Sequence, residues 1–440
     1  MPSTLRLNPN MTDQAASTEV LRTFLALIFL LGMVPSWAGA DEQGANVVDA
    51  STLNGKVMTG YQAWFRCQGD GSDQGWTHWS NDYKRLSPKT IHVDLWPDVS
   101  ELPPAERYAA PGFTYEDGSP AYLFSAYNAP TVLRHFQWMR DYEIDGAWVQ
   151  HFLVGFPDAP GKRSYPSHRR VIDHVIAATA QTGRVWAFSY DIAGMPGNRV
   201  YDTLTADWKR MVDEGIVAGP RYLHHQGKPV AQIWGFYYGV KSNQMDADTA
   251  NRLIEFFHAP GPYAAFLVGG GGWDWRRVPD PQWQAFYRRF DAYTPWIVGN
   301  QLIDKAGISH PGTQRWADDL TECKGRGMMF IPVVYPGFSW YNLKNNAPGT
   351  TSISRRDGQF LWEQFYTLAR LKVDRVYVAM FDEVDEGTAV FKLASSSRVD
   401  GPVIHRDTAY PSDWYLRLVR EGSRMIRGQR PISQEIPIKP

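Results

Sequence analysis

Two glutamates three residues apart, Glu383 and Glu386, stand in the acidic run Asp382-Glu383-Val384-Asp385-Glu386-Gly387-Thr388. A carboxyl pair that shares a cleft can divide acid–base work. One member stays protonated and donates to a leaving oxygen. The other is ionised and acts as base or nucleophile, as cleavage of a glycosidic bond requires. Close approach in a low dielectric raises the pKa of one member and so creates the division. On a fully extended strand, residues three apart point to opposite faces. The pair therefore requires the strand to stop near Glu383 and the chain to turn at Asp385–Gly387. A solvated acidic turn is the plain alternative. An EF-hand loop is excluded, because Val384 stands where that loop needs an oxygen ligand and the later Glu is missing. A cation site of another kind, with a metal-dependent hydrolase using Asp382, Glu383 and Asp385, stays open. No Gly-x-Ser-x-Gly elbow, Walker-type lysine loop or His-Glu-x-x-His helix occurs. Among the histidines, His151 closes a strand and is a candidate ligand contact. His224, His225 and His174 read as structural or surface residues.

Such a pair needs a rigid frame, and the hydrophobic pattern supplies one. Eight short apolar runs read as strands: Val57–Phe65, Gly146–Phe152, Val185–Asp191, Pro229–Trp234, Ala264–Gly269, Trp296–Gly299, Met328–Tyr335 and Arg375–Phe381. Each is nearly continuous in apolar residues, as strands buried on both faces should be. Helical patterns follow them, starting near Thr131, Ser167, Asp202, Asp246, Pro281, Gly312, Asp357 and Ser412. Eight such units predict an α/β fold, a single (β/α)8 TIM barrel with a long loop insertion after strand 1. An open doubly wound sheet is the alternative. The insertion spans about residues 66–130 and includes Ile91–Asp98, which a barrel cannot take as a ninth strand. Barrel chemistry gathers at the carboxyl ends of the strands. The acidic run directly follows the eighth strand. The other strand ends are aromatic and amide-rich and lack clustered Lys and Arg. Tyr61, Trp64, Asp94, Gln150, His151, Tyr190, Trp234, Trp273, Arg276, Asn300, Tyr335 and Trp340 are the expected substrate-binding residues. The run Gly269–Gly272 fits close backbone approach or a mobile loop, and does not match a dinucleotide fingerprint.

Composition agrees. The 440 residues carry 45 Lys+Arg against 46 Asp+Glu, a formal charge of −1. No basic field is available to attract nucleic acid. A mean hydropathy of −0.39 excludes a polytopic membrane protein. Aromatics reach 14%, with 18 Trp, 22 Tyr and 21 Phe. Flat rings beside loop residues suit the apolar faces of sugars, and equally suit a large core. Cys67 and Cys323 are the only cysteines, so a disulfide scaffold is excluded. A barrel puts them at opposite ends, unpaired. Residues 1–40 read as a signal peptide with an N-terminal extension. Arg22 precedes the apolar run Phe24–Leu31, and Ala38-Gly39-Ala40 fits a cleavage site. Met11 offers a second start, and a retained anchor is the alternative to cleavage. Residues 41–440 form the barrel domain, expected to be secreted or periplasmic and without stable membrane insertion.

Tyr61-Gln62-Ala63-Trp64-Phe65, His78-Trp79 and Met380–Thr388 resemble bacterial proteins related to glycoside hydrolase families 71 and 99, over about residues 55 to 395. These families include endo-α-mannosidases, endo-α-mannanases and α-1,3-glucanases. The family 99 segment reads Asn-Glu-Trp-His-Glu-Gly-Thr. Both glutamates match, whereas Val384 replaces Trp and Asp385 replaces His. The resemblance implies an oligo- or polysaccharide substrate and no cofactor or metal. It implies Glu383 as the base acting on the sugar 2-hydroxyl and Glu386 as general acid, with retention through a 1,2-anhydro-sugar. The Val384 and Asp385 departures leave the sugar undefined. A barrel that binds carbohydrate without cleaving it is the alternative from another class.

Overall fold

The computed structural model describes residues 47–156, 165–239, 245–345, 352–394, 399–400 and 410–440. The signal-peptide reading of residues 1–40 falls outside them.

Eight parallel strands form one ring. They are β1 (Val57–Tyr61), β2 (Gly146–Phe152), β3 (Val185–Asp191), β4 (Lys228–Phe236), β5 (Phe266–Gly272), β6 (Ala292–Trp296), β7 (Met329–Phe330 and Val333–Val334) and β8 (Val376–Val378). Each of β1 to β5 pairs in parallel with its successor, and β8 returns to β1. Closure runs through β7. Its first half pairs with β6 and its second half with β8. The backbone bonds bridge the break: Ile331 N–H donates to Tyr293 O at 3.0 Å, and Tyr377 N–H donates to Pro332 O at 2.9 Å. The ring is a (β/α)8 barrel, and an open sheet is excluded.

The strands form where the apolar runs predict, because burial on both faces leaves no room for polar alternation. All seven residues of β3 are buried. The sixth strand is displaced from the expected Trp296–Gly299 to Ala292–Trp296. Proline donates no N–H to a ladder and is uncommon inside a strand. The residues on either side of it nevertheless pair with β5, Thr294 with Gly270 and Trp296 with Gly272.

Eight helices pack outside the ring among the described residues: α1 (Ala129–Asp141), α2 (Tyr165–Thr182), α3 (Gly197–Asp213), α4 (Ala247–His258), α5 (Pro281–Tyr287), α6 (Trp316–Gly325), α7 (Gln359–Arg370) and α8 (Trp414–Ile426). Local chemistry sets their starts. The Asp246 carboxylate accepts the Thr249 N–H, and the Asp280 carboxylate accepts those of Gln282 and Trp283 ahead of Pro281. The apolar stripe of α4 (Ala250, Leu253, Ile254 and Phe257) is buried against the barrel wall. No described helix is long and apolar enough to cross a membrane.

The insertion between β1 and α1 lies at the mouth and adds no barrel strand. It holds an antiparallel pair, Tyr108–Tyr115 with Pro120–Leu123, joined by Val399–Asp400. Ile91 and Pro97 make only isolated bridges. Asp94 N–H donates to Val384 O at 3.2 Å, which lays the insertion against the acidic run. Cys67 and Cys323 are buried and free.

Candidate active site

β8 ends at Val378, and the acidic run after it is a loop, not a strand. Three anchors shape that loop. Asp382 accepts the backbone N–H groups of Gln62 and Ala63, each at 2.8 Å, which binds the end of β1 to the end of β8. The Glu383 carbonyl accepts from Thr388 and Ala389 N–H and closes the turn. Arg355 donates to the carbonyls of Gly387 and Ala389, both at 2.8 Å. Gly387 has φ +67°, and a Cβ there would stand 2.9 Å from Ser339 N. Only glycine allows residues 338–339 to approach so closely. Ser339 N–H then donates to Glu386 O at 2.9 Å.

These anchors set the two glutamates in different surroundings. Glu383 is 4% exposed. One of its oxygens accepts from Gln62 Nε2 at 2.7 Å and the other from Thr388 Oγ1 at 3.0 Å. Glu386 is half-buried. Burial pushes the Glu383 carboxyl well above the usual range, and the charges of Glu386 and Asp385 add to this. The Thr388 hydroxyl opposes the rise. Glu386 is raised to about 7, first by burial and then by Asp385; the Trp340 indole and Lys344 ammonium oppose it. Burial likewise raises Asp382 and Asp385 to about 7. Burial therefore favours the neutral form of all four carboxyls, Glu383 most strongly, and Glu383 can act as a base only after it has lost its proton.

The expected binding residues divide. Trp64 stacks on His78 at 3.8 Å, and His78 Nδ1 lies 3.1 Å from Asp385 Oδ2. Asp94 accepts the N–H groups of Tyr341 and Asn342, both at 2.9 Å, and so holds the loop that carries Trp340. Gln150 lies inside the barrel, where its Nε2 donates to Tyr377 Oη at 2.8 Å. Trp234 meets Trp296 edge-on at 5.4 Å. Trp273 lies beneath the Arg315 guanidinium at 3.8 Å, and the Asn300 side chain packs at Gly312.

Five expectations are corrected. Tyr61 is fully buried and turns outward to α1, with its hydroxyl 2.9 Å from His135 Nδ1. His151 and Tyr190 also face outward, and both bond Asp207 of α3 at 2.9 Å. Arg276 turns away to Asp318 and Asp319 at α6. Tyr335 packs on Phe360 of α7 and donates to Asn300 O. The reason is common to the strand residues: successive side chains alternate faces, and these stand on the helix-facing side. Of the residues in the metal-hydrolase alternative, Asp382 already accepts one backbone N–H at each of its oxygens.

The same alternation identifies residues that the sequence reading passed over. Gly60 faces inward, since a Cβ on it would strike Met380 and Tyr377. Gln62, two residues on, reaches Glu383. Ser189 bonds Gln150 inside the barrel, and Asp191, two residues further, is a buried carboxylate whose charged form Glu386 disfavours. His78 and His92 come from the insertion and carried no periodic signal.

A cavity of about 340 Å³ is walled by Trp64, His78, Phe152 and Tyr165 among others and by no residue of the acidic loop. A larger one, about 700 Å³, lies between Tyr115, Tyr122 and Tyr410 and likewise includes no residue of the acidic loop. Trp64 and His78 tie the smaller cavity to the carboxylates.

No protein-family model matches the sequence, and no curated protein matches it. Solved structures do match the fold. A GH99 endo-α-mannosidase from Bacteroides thetaiotaomicron aligns with a TM-score of 0.63 at 15% identity, over 86% of this chain and 99% of that one. Its complex with bis-tris-propane aligns with a TM-score of 0.61, also at 15% identity, over 87% and 99%. At that identity the likeness establishes the barrel fold.

Proposed function

We propose that this protein is a secreted glycoside hydrolase that cleaves an α-linked, mannan- or glucan-like glycan, endo-acting and with retention. The observation that carries the reading is the loop after β8. It presents Glu383 and Glu386 together at the carboxyl end of the barrel, one gripped by Gln62 and Thr388 and the other half-open beside Trp340. The fold shared with endo-α-mannosidase structures and the matching pair of glutamates support it.

In this reading the substrate's O2 lies trans to the scissile bond, as in an α-mannoside, and ionised Glu383 takes the proton of the 2-hydroxyl as O2 attacks the anomeric carbon from the opposite face. Glu386 protonates the departing glycosidic oxygen. A 1,2-anhydro-sugar results. Glu386, now ionised, removes a proton from water as it opens that ring at the anomeric carbon, and Glu383 returns its proton to O2. Two inversions give net retention, with no covalent bond to the enzyme. Gln62 and Thr388 hold Glu383 in place, and Trp340 offers a flat face to a sugar ring.

The test is product release from α-mannan and α-1,3-glucan, with xylan and arabinan as controls. Glu383→Gln and Glu386→Gln should each lose about 10²–10⁴-fold in rate. Proton NMR of the first product should show the substrate's anomeric configuration. Loss of less than a few fold in both variants would remove the assignment. Binding of the glycan by calorimetry, without turnover by the wild type, would favour the carbohydrate-binding alternative.

A further inference from the structure

We propose that His78, His92 and Asp385 form a binding site for a divalent transition metal of the zinc type, beside the paired glutamates. Each residue offers one ligating atom, and the three atoms lie within 4.8 Å of one another. Two come from the insertion and one from the loop after β8, so the site exists only in the folded barrel.

The second observation is a deficit of partners. Asp385 is 2% exposed. Its Oδ2 meets His78 Nδ1 at 3.1 Å, but its Oδ1 is enclosed and has no hydrogen-bond partner. His92 Nδ1 is also enclosed and without one. A simple His–Asp hydrogen bond satisfies the first contact and leaves the other two atoms unpaired. Buried polar atoms are rarely left in that state, since each costs about 1–3 kcal/mol. A cation held through Asp385 Oδ1 and His92 Nδ1 would answer both deficits.

The frame is built to hold it. Trp64 stacks on the His78 ring with 6° between the planes and fixes its orientation. His92 N–H donates to Trp79 O at 2.9 Å and anchors that backbone. Asp94 N–H donates to Val384 O, which holds the insertion against the residue preceding Asp385. Two imidazoles and one carboxylate select zinc-type ions over calcium and magnesium, which prefer all-oxygen shells. Three protein ligands leave a fourth position, and the two half-exposed imidazoles open it to water or to a sugar hydroxyl. The ion would pin the insertion to the loop that carries Glu383 and Glu386. It would also offset negative charge where Asp382, Glu383, Asp385 and Glu386 crowd together.

The experiment needs no glycan, so it can fail independently of the hydrolase reading. The full chain, untagged and stripped with chelator, is titrated with zinc chloride by calorimetry. One ion per chain is expected, with calcium chloride giving no comparable heat. His92→Gln and His78→Gln should each weaken binding at least about tenfold, the lower end for disturbing a metal shell. Cobalt(II) should give visible absorption bands that zinc displaces. No stoichiometric zinc binding by the wild type overturns the proposal, and so does equal affinity in both variants. Should His92→Gln fail to fold, the half-exposed His78→Gln and the cobalt spectrum of the wild type still decide it.

Discussion

Asp382 and Asp191 are both buried carboxylates at strand ends, yet they do different work. Asp382 accepts two backbone N–H groups and fixes the geometry of Gln62 and Glu383. Asparagine there keeps one acceptor and orphans a buried N–H. Asp382→Asn should therefore lose about 1–3 kcal/mol in urea unfolding. A variant as stable as the wild type would contradict this anchoring role. Asp191 is raised to about 7, first by burial and then by the charge of Glu386. Its ordinary value is 3.8. Between those values the native protein keeps a proton that the unfolded chain releases. The stabilisation is complete below the unfolded value and is lost as pH rises through 7. Asparagine has no proton to lose and can still accept the Ala193 N–H. The stability of Asp191→Asn relative to wild type should thus increase from pH 5 to pH 8, which urea unfolding at both values checks. Gln62→Leu removes a donor to Glu383. Hydrogen bonds to charged groups contribute about 1.5–3 kcal/mol, so kcat on a cleaved glycan should fall by an order of magnitude or more. Glu383 and Glu386 were legible in the sequence because their spacing and their place after a strand were visible there. Asp191 and Gln62 were not, because nothing local says which of two neighbouring strand residues turns inward.

At the scale of elements, the decisive one is the loop from Asp382 to Thr388. Its shape rests on Gly387, where a side chain would need both a left-handed backbone and space that Ser339 occupies. Gly387→Ala should cost about 1–2 kcal/mol for the backbone alone, with the collision added. It should also displace Glu386, whose carbonyl receives the Ser339 N–H. Denaturant unfolding and rate measurements together check both effects; an unchanged midpoint would show that the loop tolerates the methyl group. The strands themselves were read well from their apolar runs. β2 and β3 fall within the expected bounds residue for residue. β6 begins at Ala292, four residues before the expected Trp296, and keeps Pro295 within its paired segment. The inward or outward sense of each strand was the larger loss. It cost Tyr61, His151, Tyr190 and Tyr335 their expected role, and turned them into contacts between barrel and helices.

Across the whole molecule, the closed ring separates a structural end from a chemical one. The two cysteines follow this division and are buried and unpaired. The folded protein should leave both thiols unreactive toward a disulfide reagent, and two should titrate in denaturant; prompt reaction of the folded chain would contradict their burial. Sequence by itself determined the class of fold, the order of the eight units, the absence of a cysteine framework and the position of the acidic pair. These depend on composition, periodicity and short spacing, all of which are local. Tertiary structure alone decided which strand faces look inward, that β7 closes the ring across a break, and that His78 and His92 meet Asp385. The last depends on a contact 307 positions apart, His78 with Asp385, and the others on pairing between neighbouring strands. They are set by ring closure and by packing, and no local pattern in the chain encodes them.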